Sequence, residues 1–462
     1  MNPSARDAAP APVKLGLFRL TWPLFLEFLL FMLMGTADTL MLSGVSDDAV
    51  AAVGVGHQYL FLCILVMEFI SHGAGIVVAQ YLGAQRQEEA ARIAALAITL
   101  NLAMGLVISA ALYGGGYTLL ERMNLPAGVL GQAVLYLRLV GGFLFLQALI
   151  NIVSSLLRVY GFTRESMFIS LGMNVLHIGG NYLLIFGHGG LPALGVTGAA
   201  VSTILSRGAA LVAFFWTLYR VMDVRMARAD YTRFSRDYIR KILQMGIPSA
   251  IESVTYHGCQ TIFLYYATLL GTAALAARQY AQSISQYVYL FSLAVGLGTS
   301  IIVGRLVGAG RPDEAFHRVR TSLLWSLAIT VVVDLVAIAF RVPLVSLFTR
   351  NPDVLALATQ VMVLSLLLET GRAFNLVLVN ALRAAGDANF TVAVSLGSML
   401  CMSVPPGYLL AVKLGLGLAG IWLAVAADEW TRGLTYWARW RRRAWEKHAL
   451  VTPVVAQVPA PV

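Results

Sequence analysis

Charge is what this chain has least of. Only 12% of its 462 residues are Asp, Glu, Lys or Arg, against 58% hydrophobic, whereas a soluble domain carries roughly a quarter charged residues. The shortage excludes an ordinary soluble enzyme, because such an apolar surplus needs lipid to cover it. Cysteine is scarce too. Cys63, Cys259 and Cys401 stand singly inside apolar stretches, without the spacing of a zinc knuckle or a secreted disulfide framework, and read as small core residues. No GxxxxGK[ST] run offers a cradle for nucleotide phosphates. No zinc, thiol or serine-base constellation marks a reaction centre either, so the expectation is a non-enzyme with no catalytic residues, cofactor or metal site.

Long apolar runs are present instead. Residues 24–42, 95–112 and 331–340 reach or fall within the length of about twenty residues that a helix needs to cross hydrocarbon. About twelve such segments are counted along the chain, which predicts an all-α integral membrane protein. The net charge of 33 − 23 = +10 would point to nucleic acid in a soluble protein, but here the basic residues fall in alternate loops. Those at 86 and 92, 158 and 164, 220–241, 305–320 and 439–447 mark one side, while the opposite loops offer mainly Arg122, Arg341, Arg350 and Lys413. The positive-inside rule then puts both termini in the cytoplasm of a multi-pass inner-membrane protein and removes the need for a nucleic-acid partner. Residues 1–13 and 448–462 are rich in Ala, Pro and Val without helical period, and are expected to be disordered tails rather than a cleaved signal.

The chain also repeats itself. Pro23 matches Pro248, an offset of 248 − 23 = 225, and the same frame carries Glu27 onto Glu252, Gly83, Arg86 and Glu89 onto Gly308, Arg311 and Glu314, and Arg158 and Gly161 onto Arg383 and Gly386. About six spans per half means a duplication with parallel topology, hence two pseudo-symmetric six-helix lobes, 15–220 and 240–445, joined by a basic linker at 221–239. Two such lobes can rock about their interface and expose a central cleft to either side in turn.

The first span WPLFLEFLLFMLMGTADTLMLSG, followed by AAVGVG and GAGIVVAQYLGAQR, resembles the opening of the multidrug and toxic compound extrusion family. NYLLIFG, GIPSAIES and NALRAAGDANF follow in similar order, and the resemblance covers nearly all of residues 15–445. It implies a cytoplasmic-membrane antiporter that expels bulky, often cationic organic compounds while protons or sodium ions run inward. ETGRAFNLVLVNALRAAGD with a later DEWTRG looks like a bacterial subgroup, some of whose members are similar to flavin or peptide exporters. A flippase of lipid-linked precursors is the competing reading, with Arg138, Arg207, Arg278 and Arg372 available to phosphates. A non-transporting scaffold is the third. Small organic substrates and membrane lipid are the expected partners, and nothing in the chain demands more than a monomer.

Acids retained at bilayer depth are costly and are therefore the first candidates for ion or substrate sites. Asp38 lies 11 residues after Glu27, so the two return to within about 20° of one helical face, roughly 16 Å apart. The resemblance matches Asp38 to the first-span acid used for cation or proton coupling, and implies a protonation switch there. Glu27 and Glu252 each follow a repeat proline by four residues, where a kink can open carbonyls toward a cavity. The family glutamate of the seventh span falls on Tyr256, so Glu252 fits that pattern in part; a hydrogen bond to a neighbouring helix is the alternative. Glu68, His177 and Asn181 complete a polar set around a first-lobe chamber. Asn181 stands where family members have an aspartate, which argues against a sodium site of several carboxylates and toward protons. Glu369 and Arg372 are spaced to pair on one helical face, with Asn375 next along. Asp428, Glu429 and Arg432 read as a clamp at a cytoplasmic helix end. Tyr256, Phe263, Tyr287 and Tyr289 could line a cleft for organic cations. Gly73, Gly75, Gly296 and Gly298 read as close packing points between helices.

Overall fold

The computed structural model describes residues 16–452 apart from Asp223 and Arg225. The expected tail at 1–13 lies outside the described residues, as do residues 453–462 of the tail at the other end. Six spans build the first half: α1 (Leu17–Ser43), α2 (Asp47–Gly83), α3 (Gln87–Glu121), the pair α4 (Ala127–Gly142) and α5 (Phe145–Tyr160), α6 (Thr163–Phe186) and α7 (Val196–Trp216). A short α8 (Arg228–Thr232) sits in the linker. The second half repeats the series with α9 (Arg236–Leu269), α10 (Thr272–Gly308), α11 (Pro312–Ala339), a short α12 (Arg341–Ser346), α13 (Pro352–Ala384), α14 (Ala388–Ser398) running on through wider turns and α15 (Val404–Tyr408) to Lys413, and α16 (Leu418–Arg441). Nine of these are long and apolar enough to cross a bilayer, and ten if α4 and α5, bent 45° to one another, count as one. The other two, α9 and α16, carry more polar residues and complete six spans per half. Outward faces are apolar, with Val107, Val212, Leu324 and Leu205 each exposed, as lipid requires.

Proline shapes the entry helices without breaking them. α1 runs through Pro23 and α9 through Pro248. A proline leaves the carbonyl four residues earlier without its donor; for Pro23 that is Arg19, whose carbonyl accepts from Thr163 Oγ1 at 3.4 Å.

The lobes meet in a seam whose two-fold character follows the repeat. A Cβ on Gly83 would stand 2.0 Å from the Arg305 carbonyl oxygen, and one on Gly308 would stand 1.9 Å from the Gln80 carbonyl oxygen. Since 80 and 305 are themselves 225 apart, α2 and α10 cross reciprocally, backbone against backbone. Gly73 presses on the Ile242 carbonyl in the same way, and Gly298 on Thr21, so the glycines expected at close helix contacts do stand at them.

Among the described residues, every hydrogen bond between the two halves lies at the basic end. Gln80 Nε2 donates to the Ala384 carbonyl at 2.7 Å, Lys241 Nζ to Tyr81 Oη at 3.0 Å, Arg305 to the Val159 carbonyl at 2.6 Å, and the Leu450 amide to Gln80 Oε1 at 2.8 Å. The last bond departs from the sequence expectation. A disordered tail was expected from 448, yet residues 448–452 pack on the seam, with Val451 buried and the His448 carbonyl against Gly386. Farther from that end, Phe61 meets His257 edge-on with ring centres 5.3 Å apart.

Candidate functional site

Asp38 sits near the far end of α1, 6% exposed. Its Oδ1 meets His177 Nε2 at 2.7 Å and accepts from Asn181 Nδ2 at 2.6 Å. His177 and Asn181, one turn apart on α6, face the same way. α6 lies beside α1 in register: Glu27 to Ser166 and Asp38 to His177 are both separated by 139 positions. Ser202 of α7 donates to the His177 carbonyl at 2.8 Å, fixing that turn. Tyr136 from α4 and Arg207 from α7, both buried, close the chamber, and the charges of Arg207 and Asp38 bear on His57 of α2. Four atoms here are buried with no partner among the described residues: His177 Nδ1, Asn181 Oδ1, and Arg207 Nε and one terminal nitrogen. A chamber with one ionisable acid, an adjoining imidazole and unfilled bonding capacity can take up and hand on a proton. His57 and Tyr136 were not legible as members, because they arrive from helices whose sequences show only isolated polar residues.

Glu68 does not belong to that chamber. It is exposed on α2, and the charge bearing on it is Arg158. Glu27, for its part, accepts from Ser166 and Ser170 at 3.2 and 3.3 Å and lies 3.8 Å from Arg158. In the other lobe Arg383 is ion-paired to Glu252 and donates to Thr391 Oγ1 at 3.3 Å. Two repeat-related acid–guanidinium pairs thus stand in the two lobes. His72, exposed on α2, lies within electrostatic reach of both arginines.

The second lobe holds a larger charged group. Arg372 of α13 donates to Glu369 at 2.7 Å and lies 3.6 Å from Glu429 of α16; Arg432 lies 3.0 Å from Glu429 and 2.8 Å from Asp428. Asn375 donates to Glu429 at 2.7 Å, Ser398 to Asp428 at 2.6 Å, and Ser285 to Glu369. Glu369 and Arg372 pair as their spacing implied. Asp428, Glu429 and Arg432 do not form a helix-end clamp, however: they lie buried midway along α16 and join the network from the opposite side. Tyr289 stacks on the Arg372 guanidinium at 4.8 Å, and Tyr256 bears on Arg372 and Arg278. A cavity of about 30 Å³, room for a couple of waters, opens between Arg278, Gln282, Ser285, Tyr289, Arg372 and Trp422. Phe263 lines it, while Tyr287 faces outward. Asp334 of α11, 1% exposed, stands beside Glu369 and Arg372. Its signal was visible, a single acid inside VVVDLVAIAF, by the same reasoning that singled out Asp38.

This two-lobed helical frame with buried charge in each lobe matches known proteins along its length. The MatE family model matches residues 23–183 and again 248–409, two stretches whose starts differ by the same 225 positions as the prolines. The chain belongs to the multidrug and toxic compound extrusion (MATE) family. It is 41% identical over 436 residues to the "uncharacterized transporter YisQ" of Bacillus subtilis, covering 94% of this chain and 96% of that one. To the "probable multidrug resistance protein NorM" of Thermotoga maritima it is 25% identical, covering 95% of each. A solved structure described as the outward-facing conformation of a multidrug resistance MATE family transporter superposes with a TM-score of 0.86 at 20% identity, over 93% of this chain and 96% of the other. MATE proteins are transporters rather than enzymes, and this one is a multi-pass membrane protein.

Proposed function

We propose that this MATE protein is a proton-driven antiporter that exports bulky organic compounds, many of them cationic, across the cytoplasmic membrane. The observation that carries the reading is the buried Asp38 carboxylate held between His177 and Asn181. One carboxylate, an imidazole and an amide make a poor set of ligands for sodium, which favours several oxygens, and a good set for a proton. The family's multidrug relatives support the substrate class. Two lobes closed by hydrogen bonds at the basic end support a resting state open to the opposite side, with both termini in the cytoplasm by the distribution of basic residues. The same architecture supports alternating access by rocking of one lobe on the other, with a monomer sufficient for the cycle.

The test is ethidium efflux from cells carrying wild type or Asp38→Asn, with pH and sodium gradients imposed separately. Loss of pH-driven efflux in the variant, with sodium without effect on wild type, is the expected result; efflux driven by sodium alone overturns the ion assignment. A lipid-linked precursor flippase is the second reading, favoured by the unpartnered nitrogens of Arg207 in the first-lobe chamber. Translocation of a phosphate-bearing fluorescent lipid in proteoliposomes, absent in Arg207→Gln, would select it.

A further inference from the structure

The charges of the second lobe do not balance. Asp428, Arg432, Glu429, Arg372 and Glu369 alternate in one chain of contacts, three acids to two guanidiniums. Asp334 adds a fourth carboxyl and finds no ion pair within 4 Å among the described residues, while its Oδ2 is buried without any hydrogen-bond partner. Arg278 lines the adjoining cavity and, among the described residues, is held by the neutral Gln260 alone, at 2.9 Å from its Oε1. Counting it, four acids face three guanidiniums. A net charge left in such a place is strongly disfavoured, the more so for a carboxylate oxygen without a hydrogen bond. The groups around Asp334 offer no relief. From α13 it meets Glu369 and Arg372, and Arg372 is already committed to Glu369 and Glu429. From α10 come Ser285, bound to Glu369, and Ser292, which is bonded to Thr330 at 2.8 Å and to Ser326 at 3.1 Å on α11.

We propose that Asp334, adjoining Glu369, is a second proton-carrying site, seated in the C-terminal lobe and separate from Asp38. A proton delivered by hydronium, which leaves as water, bonds to the Asp334 carboxylate and makes the network neutral; its departure leaves one uncompensated negative charge, and Arg372, which lines the cavity, or a cationic substrate group can answer it. This site has no counterpart in the first lobe, where the repeat frame puts Ser109 at the position of Asp334 and Gln147 at that of Arg372. The proposal uses the proton-driven reading only for its role in transport, not for its existence.

The experiment is pH-difference infrared spectroscopy of the full chain in lipid nanodiscs, following the carbonyl band of protonated carboxyls, beside ethidium efflux from the same variants. Wild type is expected to show a pH-dependent component that Asp334→Asn loses and Asp38→Asn keeps. Glu369→Gln, which leaves Asp334 in place, is expected to keep that component but change the pH at which it disappears, so the site remains testable if Asp334→Asn folds poorly. A band unchanged in Asp334→Asn, or a component indifferent to Glu369→Gln, overturns the site. Wild-type efflux indifferent to pH with the Asp334 component present would sink the antiporter reading and leave the site standing.

Discussion

Arg383 is ion-paired to Glu252 as Arg158 is to Glu27, and each member of the first pair lies 225 residues beyond its equivalent in the second. The duplication therefore preserved an interaction between helices as well as the helices themselves. All four side chains are about 13–15% exposed, wet enough to be screened in part. Removing one partner leaves the other unpaired, so Glu252→Gln is expected to lower thermal stability in detergent by about 1–3 kcal/mol. Glu252→Gln with Arg383→Gln should cost less than the sum of the singles. Strict additivity in that double-mutant cycle would show that the pair contributes nothing.

The buried network around Arg432 should be less forgiving. With Asp428 and Glu429 as its partners, at 2.8 and 3.0 Å, Arg432→Leu takes from Asp428 its guanidinium and leaves Glu429 to Arg372 alone, and is expected to cost about 3–5 kcal/mol. Arg432→Lys should recover part of that loss. Unfolding followed by tryptophan fluorescence would read it, and a loss below about 1 kcal/mol would contradict the account.

His177 should act on rate more than on fold. Its Nε2 meets Asp38 while Nδ1 has no partner among the described residues, so His177→Gln can keep the contact but loses the imidazole. The expected outcome is a pH-driven efflux rate reduced by about tenfold or more, with a melting temperature close to wild type. An unchanged rate and pH profile would assign the imidazole to packing.

At the seam, Gly308→Ala puts a methyl where 1.9 Å separates it from the Gln80 carbonyl oxygen. Overpacking of this kind costs about 1–3 kcal/mol, borne by the closed arrangement alone. The variant should spend more time open at the basic end, which a cysteine at position 72 would report through faster labelling by a thiol reagent from that side. Labelling no faster than with Gly308 intact would mean that the seam does not set the resting state.

Much of this architecture was legible because it rests on local and periodic signals. Apolar runs named the spans, and the shared frame of Pro23 and Pro248 named the lobes. Glu369 and Arg372 are three apart on one helix, so their contact follows from helical geometry. What stayed hidden depends on rotation and depth. Asp428 and Glu429 look like a helix-end clamp because a basic tail follows them, yet α16 runs on to Arg441 and leaves them at mid-span. Glu68 lies exposed on α2 near Arg158 rather than in the first-lobe chamber. His57 and Tyr136 reach the Asp38 chamber only through packing between helices that no spacing within one of them reveals.

Gln80 is the hasp of the closed side. One fully buried amide donates its NH₂ to the Ala384 carbonyl and its oxygen accepts from the Leu450 amide, while its own backbone carbonyl bears on Gly308. The ends of α13 and α10 and the segment that follows α16 are thus fastened to a single residue of the first half. Such a fastening does not unzip by degrees: as Gln80 swings away all three contacts are lost together. Opening of the basic side should accordingly be abrupt, and the last described residues of the chain should come off the seam in the same event.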